Sequence, residues 1–272
     1  MTDKQRQTSS QSITKMIEQL LERGETAILV TRVGGPELVG SKLLILEHGD
    51  SIGTLGNAEL DSIVVDQAAR IRASRDETRM FSVNEFAPQF PSARETLLLF
   101  ERLQPPPRLV VCGAGHVGAS LAKLAAFAGY HTTLIDDRAD FLNRQRFPEN
   151  EIDLVVADEW SSAVRDAIGN GRGVSVAVVT RGHNEDEQCM QAVVRANPDY
   201  VGLIGSKRRT SIVIERLRES GIGEELQKIR APIGLDIGAV SPEEVALSIM
   251  AEIIAERRGA GGGSLSAWRR KV

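Results

Sequence analysis

The sequence predicts an α/β protein: a doubly wound parallel sheet in its C-terminal part, preceded by a smaller α+β domain. Three observations carry that expectation. After Pro105-Pro106-Pro107, short apolar runs alternate regularly with helical patterns. Those runs are continuously apolar, as strands covered on both faces must be. Before the prolines the order differs, with several β-prone runs and only one or two helical stretches. The 272 residues are comfortable for two domains of roughly 100–200 residues each.

The first part reads as follows. Ile13, Ile17, Leu20 and Leu21 recur at helical spacing over residues 12–22, and Gly24 ends that helix. Residues 27–31, 42–46 and 51–56 are strand candidates, broken by Gly34-Gly35-Pro36 and by Gly49-Asp50. A helix is expected over 58–72, with Leu60, Ile63, Val64 and Ala68 inward, and further strands over 80–86 and 95–103. Three consecutive prolines continue neither a helix nor a central strand. The expected domains are therefore 1–104 and 105–258, with a glycine-rich flexible tail at 259–272 that carries Trp268 and Arg269-Arg270-Lys271.

In the second part, strands are expected at 109–112, 132–135, 154–156, 174–180 and 200–204. Helices are expected over 116–128, behind a cap at Asp158, from Asn184 with Glu187 closing a capping box, from Ser206 to about 220, and from Ser241. In the last, Ser241 is the cap, Pro242 the first helical residue and Glu244 the closing acid. Right-handed crossovers would wind these units on both sides of one sheet.

Composition narrows the function. A net charge of -4 argues against a general nucleic-acid binder, which needs a basic excess. No run approaches 18 apolar residues, so no membrane span is expected, and the polar residues 1–11 read as a disordered lead-in without the apolar core of a secretory signal. The two cysteines, Cys112 and Cys189, form no CxxC pair, which suits a reducing cytoplasm and core positions. No histidine has zinc-ligand spacing from a cysteine, so no structural metal is expected. No Ser-His-Asp order, paired carboxylates or catalytic lysine motif stands out, and no catalytic residue is assigned.

The strongest motif is the turn Gly113-Ala114-Gly115-His116-Val117-Gly118. It follows an apolar strand, opens a helix and precedes Asp136 at the end of the next strand, the context of the Rossmann-type dinucleotide fingerprint. Gly113 allows the tight turn, Gly115 lets backbone approach a phosphate, and Gly118 lets the helix pack on the strand. The helix N-terminus offers unpaired N–H groups and partial positive charge. Asp136 or Asp137 could accept hydrogen bonds from ligand hydroxyls, and Arg138 could pair with a phosphate. The same glycines would also serve packing alone, since fold does not dictate function.

Three further segments belong to the same sheet edge, where ligands of such folds bind. Thr180-Arg181-Gly182-His183 ends the fourth strand, and His183 could donate to an anion or coordinate a metal. Gly205-Ser206-Lys207-Arg208-Arg209-Thr210 combines a glycine, a hydroxyl cap and three cations at a helix start, an anion site or a solvated basic turn. Pro232-Ile233-Gly234-Leu235-Asp236-Ile237-Gly238-Ala239 places Asp236 between two glycines, either near a ligand or in a structural turn. The fingerprint by itself also fits an NAD(P)-binding oxidoreductase or nucleotide sensor.

The segments PPPRLVVCGAGHVG, LIDDR, TRGHNED, YVGLIGSKRR and APIGLDIGAVSPEEVALSIMAEIIAERRG, in this order over residues 105–259, resemble the XdhC/CoxI family of accessory proteins for molybdenum hydroxylases. The resemblance implies a protein that binds molybdenum cofactor, protects it during sulfuration and delivers it to a xanthine dehydrogenase-like enzyme. It implies a cofactor chaperone more than a catalyst, with a sulfur donor such as a cysteine desulfurase as a second partner and a homodimeric state. In the N-terminal part, Leu55-Gly56-Asn57-Ala58-Glu59 matches the family's Gly-Gly-Cys-type segment with Ala58 at the cysteine position, and Gly34-Gly35-Pro36-Glu37-Leu38-Val39 is a reduced form of its Pro/Arg-rich segment. The Rossmann crevice is therefore expected to carry the cofactor, and a scaffold that bridges donor and client without holding cofactor is the third reading.

Overall fold

A computed structural model describes residues 3–74, 76–90 and 92–266. Trp268 and the basic residues after it lie outside the described residues. The chain divides into two compact units, Met1–Pro105 and Pro106–Val272.

The first unit contains α1 (Asp3–Glu22), β1 (Ala27–Gly34), β2 (Lys42–Leu46), β3 (Ser51–Thr54), α2 (Ala58–Ala73), β4 (Thr78–Ser82) and β5 (Leu97–Leu103). Its strands form an antiparallel sheet in the order β3-β2-β1-β5-β4. Strand β1 is apolar at successive positions because the sheet is covered on both faces. Ile28 and Val30 pack with Leu60, Val64, Ala68 and Ile71 of α2, whereas Ala27 and Leu29 pack with Ile13 and Leu20 of α1. The strand expected over 80–86 stops at Ser82, because the Ser82 hydroxyl and the Glu85 carboxylate form a capping box on a short 3-10 turn. Its partner correspondingly begins at Leu97. The first helix extends back to Asp3, through the polar stretch expected to be unstructured.

The second unit contains β6 (Arg108–Cys112), α3 (His116–Phe127), β7 (His131–Asp136), β8 (Ile152–Val156), α4 (Trp160–Ile168), β9 (Val174–Val178), α5 (His183–Ala196), β10 (Tyr200–Leu203), α6 (Lys207–Glu219), β11 (Ile229–Arg230) and α7 (Pro242–Arg257). All six strands are parallel, in the order β11-β10-β9-β6-β7-β8. The sheet is doubly wound. Leu109 and Val111 pack toward α3 and α7, while Val110 and Cys112 pack toward α4, α5 and α6. The strand order reverses at β6, so the switch point falls between β6 and β9 and the two halves of the unit diverge from there. The helix α7 starts as its sequence predicts, with Ser241, Pro242 and Glu244 in a complete capping box. Two other caps differ. Asp158 does not cap α4, whose cap residue is Glu159 without a side-chain bond. The helix α5 starts at His183 on a bare Gly182 cap, so Asn184 and Glu187 form no capping box. No helix among the described residues is long and apolar enough to cross a membrane.

Candidate functional site at the carboxyl edge of the parallel sheet

The glycine turn follows β6, the central strand at the switch point. Gly113 has φ +112°, and a Cβ there would lie 2.6 Å from the Val179 carbonyl oxygen. A Cβ at Gly118 would lie 1.8 Å from the Gly113 carbonyl oxygen, so a hydrogen is all that fits between helix and turn. Gly115 is different: a Cβ there meets nothing within 4 Å. It is the cap residue of α3, and no side chain caps that helix. The neighbouring helix α5 likewise starts on a glycine without a side-chain cap. Two helix N-termini thus present first-turn amides at one edge of the sheet with room in front of the first, the arrangement that accepts a phosphate.

The side of this turn that faces β7 is occupied by protein. The Asp136 carboxylate is buried and accepts from the Ala114 amide at 2.6 Å, the Arg138 amide at 3.0 Å, Arg138 Nε at 2.8 Å and Arg138 Nη2 at 2.9 Å. Burial pushes its pKa up, but the Arg138 guanidinium and the two amides outweigh burial and hold it below the usual range. A carboxylate has about four acceptor positions, and all are used. Asp136 therefore shapes the turn and cannot serve a ligand hydroxyl, the role its spacing suggests. Arg138 is tied to Asp136 through Nε and Nη2 and stacks 3.7 Å from the Phe141 ring centre, so its first role is to fix that carboxylate. Arg146, which the sequence did not single out, donates to the Ala114 carbonyl at 3.0 Å and fixes the turn from the other side.

The other side of the turn faces β9. Thr180 and Arg181 follow that strand, and Arg181 donates to Asp137 at 2.9 Å and to Glu185 at 3.3 Å. Since β6 lies between β9 and β7, the Arg181–Asp137 pair joins the two strand tips that flank the glycine turn. Arg181 is half exposed, and His183 is exposed at the start of α5. Among the described residues no cluster of three His, Cys, Asp or Glu residues is placed to hold a metal.

Asp186 is the site residue that sequence reasoning missed. It is fully buried and accepts from Thr180 Oγ1 at 2.5 Å and from Arg209 at 2.5 and 3.1 Å, tying the tip of β9 to the first turn of α6. Burial raises its pKa, and Thr180 and Arg209 offset only part of that. Its signal was present: Asp186 lies on the stripe of Cys189, Met190 and Val193 at helical spacing, and an acid on an apolar stripe needs partners. Ser206 caps α6 through the Arg209 amide at 3.3 Å, and Lys207 is exposed beside it. The loop carrying Asp236 leaves the same edge, because the Ile233 amide donates to the Leu203 carbonyl at 3.0 Å. Glu252 of α7 steadies it by accepting from Gly234 N at 3.2 Å and from the Tyr200 hydroxyl. Asp236 itself is exposed. The glycine turn, Thr180–His183, Gly205–Lys207 and the Asp236 loop therefore share one edge.

Comparison with known proteins follows this geometry. The XdhC Rossmann domain matches residues 109–253, and the XdhC and CoxI family matches residues 20–84. The chain belongs to the XdhC family. Its relatives include YqeB of Escherichia coli K12, 27% identical over 87% of this chain and 44% of that protein. A probable xanthine dehydrogenase subunit of Bacillus subtilis 168 is 29% identical over 60% of this chain and 47% of that protein. The molybdenum cofactor insertion chaperone PaoD of Escherichia coli K12 is 27% identical over 55% and 40%. This XdhC-family chain spans less than half the length of those three relatives. A crystal structure of a xanthine dehydrogenase from Bacillus halodurans has the same fold, with a TM-score of 0.67 at 22% identity over 92% of this chain and 68% of that one.

Proposed function

We propose that the chain binds molybdenum cofactor at the carboxyl edge of its parallel sheet and serves a xanthine dehydrogenase-like molybdenum hydroxylase as an accessory factor. The observation that carries this reading is the empty space at Gly115 in front of a helix N-terminus that no side chain caps. The first-turn amides of His116 and Val117 would take the cofactor phosphate, with the helix dipole favouring its charge. Arg181 and Lys207 would supply cationic partners at the rim. When bound, the cofactor supplies the molybdenum centre whose terminal sulfur is installed before delivery, with a cysteine desulfurase as donor. The chain's own part is to grip the phosphate, neutralise it and limit water, which is a chaperone's task.

The residues fit an anion with a compact phosphate better than they fit an extended dinucleotide. An NAD(P) reading needs a free acid at the end of the second strand for the ribose, and the four acceptor positions of Asp136 are filled by Ala114 and Arg138. The test is the pterin content of protein purified from a cofactor-producing host, measured after oxidation to its fluorescent form. Pterin in the wild type, reduced at least tenfold in Gly115→Val, is the expected result. Tight NAD(H) or NADP binding by calorimetry with no pterin would replace this reading with the nucleotide one.

A further inference from the structure

The first unit buries a cation without a counter-charge. Arg32 of β1 is 7% exposed. Among the described residues its one side-chain hydrogen bond is a 3.3 Å contact from Nη2 to Thr96 Oγ1, and its Nε is buried without a partner. Among the described residues it forms no ion pair. Arg102 of the same sheet also has a buried Nε without a partner, but one of its guanidinium nitrogens caps the end of α2 through the carbonyls of Ile71, Arg72 and Ser74. A guanidinium this far buried, whose Nε meets no acceptor, is costly.

A second polar atom in the same condition sits at the opposing position of the neighbouring strand. Arg32 N donates to the Ser41 carbonyl at 3.0 Å, and Gly40 N donates to the Arg32 carbonyl at 2.8 Å. With Gly40 at φ +89°, this is a glycine bulge that sets Ser41 directly across from Arg32. Residues opposite each other on a ladder share a face. The Ser41 hydroxyl is also buried without a partner. The Thr96 hydroxyl donates to the Ser92 carbonyl at 3.0 Å, so it accepts from Arg32 and steers the fork. Above the fork sits Gly35 at φ +125°, where a Cβ would lie 3.0 Å from Nη2 and 3.3 Å from Nε. The loop that carries Gly35 also carries Leu38, whose side chain packs onto Gly56 beside Ala58.

We propose that Arg32 and Ser41, oriented by Thr96, form an oxyanion-binding site in the N-terminal unit that takes a phosphoryl or carboxylate group. Two buried donors, one of them cationic, match an oxyanion that accepts a charge-assisted bond from Nε and a bond from the Ser41 hydroxyl. Gly35 covers the fork with hydrogen alone, so an anion reaches it past the loop over residues 34–40. The site is independent of the cofactor reading, since it uses no residue of the parallel-sheet unit.

The test is a titration of the full chain with inorganic phosphate, and separately with acetate, at constant ionic strength in chloride. It follows the Arg32 side-chain Nε–H resonance and the melting temperature of wild type, Gly115→Val, Arg32→Met and Ser41→Ala. Gly115→Val removes any contribution from the glycine turn. A saturable shift of the Arg32 resonance is expected with one of the two anions, and the active one identifies the class. A rise in melting temperature of about 2–4 °C is expected in wild type and Gly115→Val. In the Gly115→Val background it should disappear on adding Arg32→Met and shrink on adding Ser41→Ala. An Arg32 resonance that moves with neither anion, or a rise in Gly115→Val/Arg32→Met equal to that in Gly115→Val, overturns the proposal. Should Arg32→Met fail to fold, the wild-type resonance still decides.

Discussion

Asp136 in the parallel-sheet unit and Arg32 in the antiparallel unit are both buried charges, and their surroundings are opposite. Asp136 receives four hydrogen bonds from Ala114 and Arg138. Arg32 makes one long bond to a hydroxyl. The first charge is matched within the chain, so it acts on structure and holds the glycine turn in shape. The second has no acid partner among the described residues and leaves its Nε unbonded, which is what makes it a candidate anion site. The lesson extends along the sheet edge: Asp186, tied to Thr180 and Arg209, is architecture, whereas the half-exposed Arg181 can exchange partners.

Variants can break or sharpen that contrast. The largest effect is expected for Gly118→Ala, whose Cβ would meet the Gly113 carbonyl at 1.8 Å. Urea unfolding should show a loss of about 3 kcal/mol or more, whereas Gly115→Ala should stay within about 1 kcal/mol of wild type. Next comes Asp136→Asn, which leaves Arg138 and the Ala114 amide poorly matched and should cost about 3 kcal/mol. Arg32→Met should be neutral or stabilising in chloride, because it removes an uncompensated charge. A loss in Arg32→Met as large as that in Asp136→Asn would erase the distinction between the two charges.

The pH dependence has opposite signs at the two buried acids. The folded pKa of Asp136 is lowered, so its contribution is present above the unfolded value of about 3.9 and is lost as pH falls through the folded one. The folded pKa of Asp186 is raised, so its contribution is complete below the unfolded value and is lost as pH rises through the folded one. Unfolding measured against pH should therefore show a shallower acid limb in Asp136→Asn than in wild type. The smallest effect on folding is expected for Asp137→Asn. Its pair with Arg181 is exposed and worth less than about 1 kcal/mol, but its loss leaves Arg181 held by Glu185 alone and should tighten phosphate binding at the glycine turn several-fold by calorimetry. Weaker binding in that variant would show that Asp137 positions Arg181 for the ligand instead of competing for it.

Much of the fold was legible in the sequence because its signals were local. The glycine spacing after an apolar strand, the Ser241–Glu244 box and the continuous apolar strands each specify structure within a few residues. The site was legible as an edge and less so as a set of contacts. The residues at the tips of β6, β7, β9 and β10 were identifiable from their positions, but spacing alone could not show that Asp136 turns back onto Ala114 or that Arg146 reaches its carbonyl. Both depend on side-chain direction across neighbouring segments. Asp186 was overlooked for a different reason. The pattern Asn184–Glu187 predicts a side-chain cap at the very turn where Asp186 sits, so its acids read as first-turn residues facing solvent. Arg32 was hidden because it looks like an ordinary outward residue at the end of a strand until the Gly40 bulge and Thr96 enclose it.

The central claim is that the open position at Gly115 is where the cofactor's phosphate sits. It is tested most directly by quantifying pterin bound to wild type and to Gly115→Val purified side by side, with folding of both checked by circular dichroism. The account predicts near-stoichiometric pterin in the wild type and at least a tenfold loss in the equally folded variant. Equal pterin in both proteins, or none in either, would contradict it.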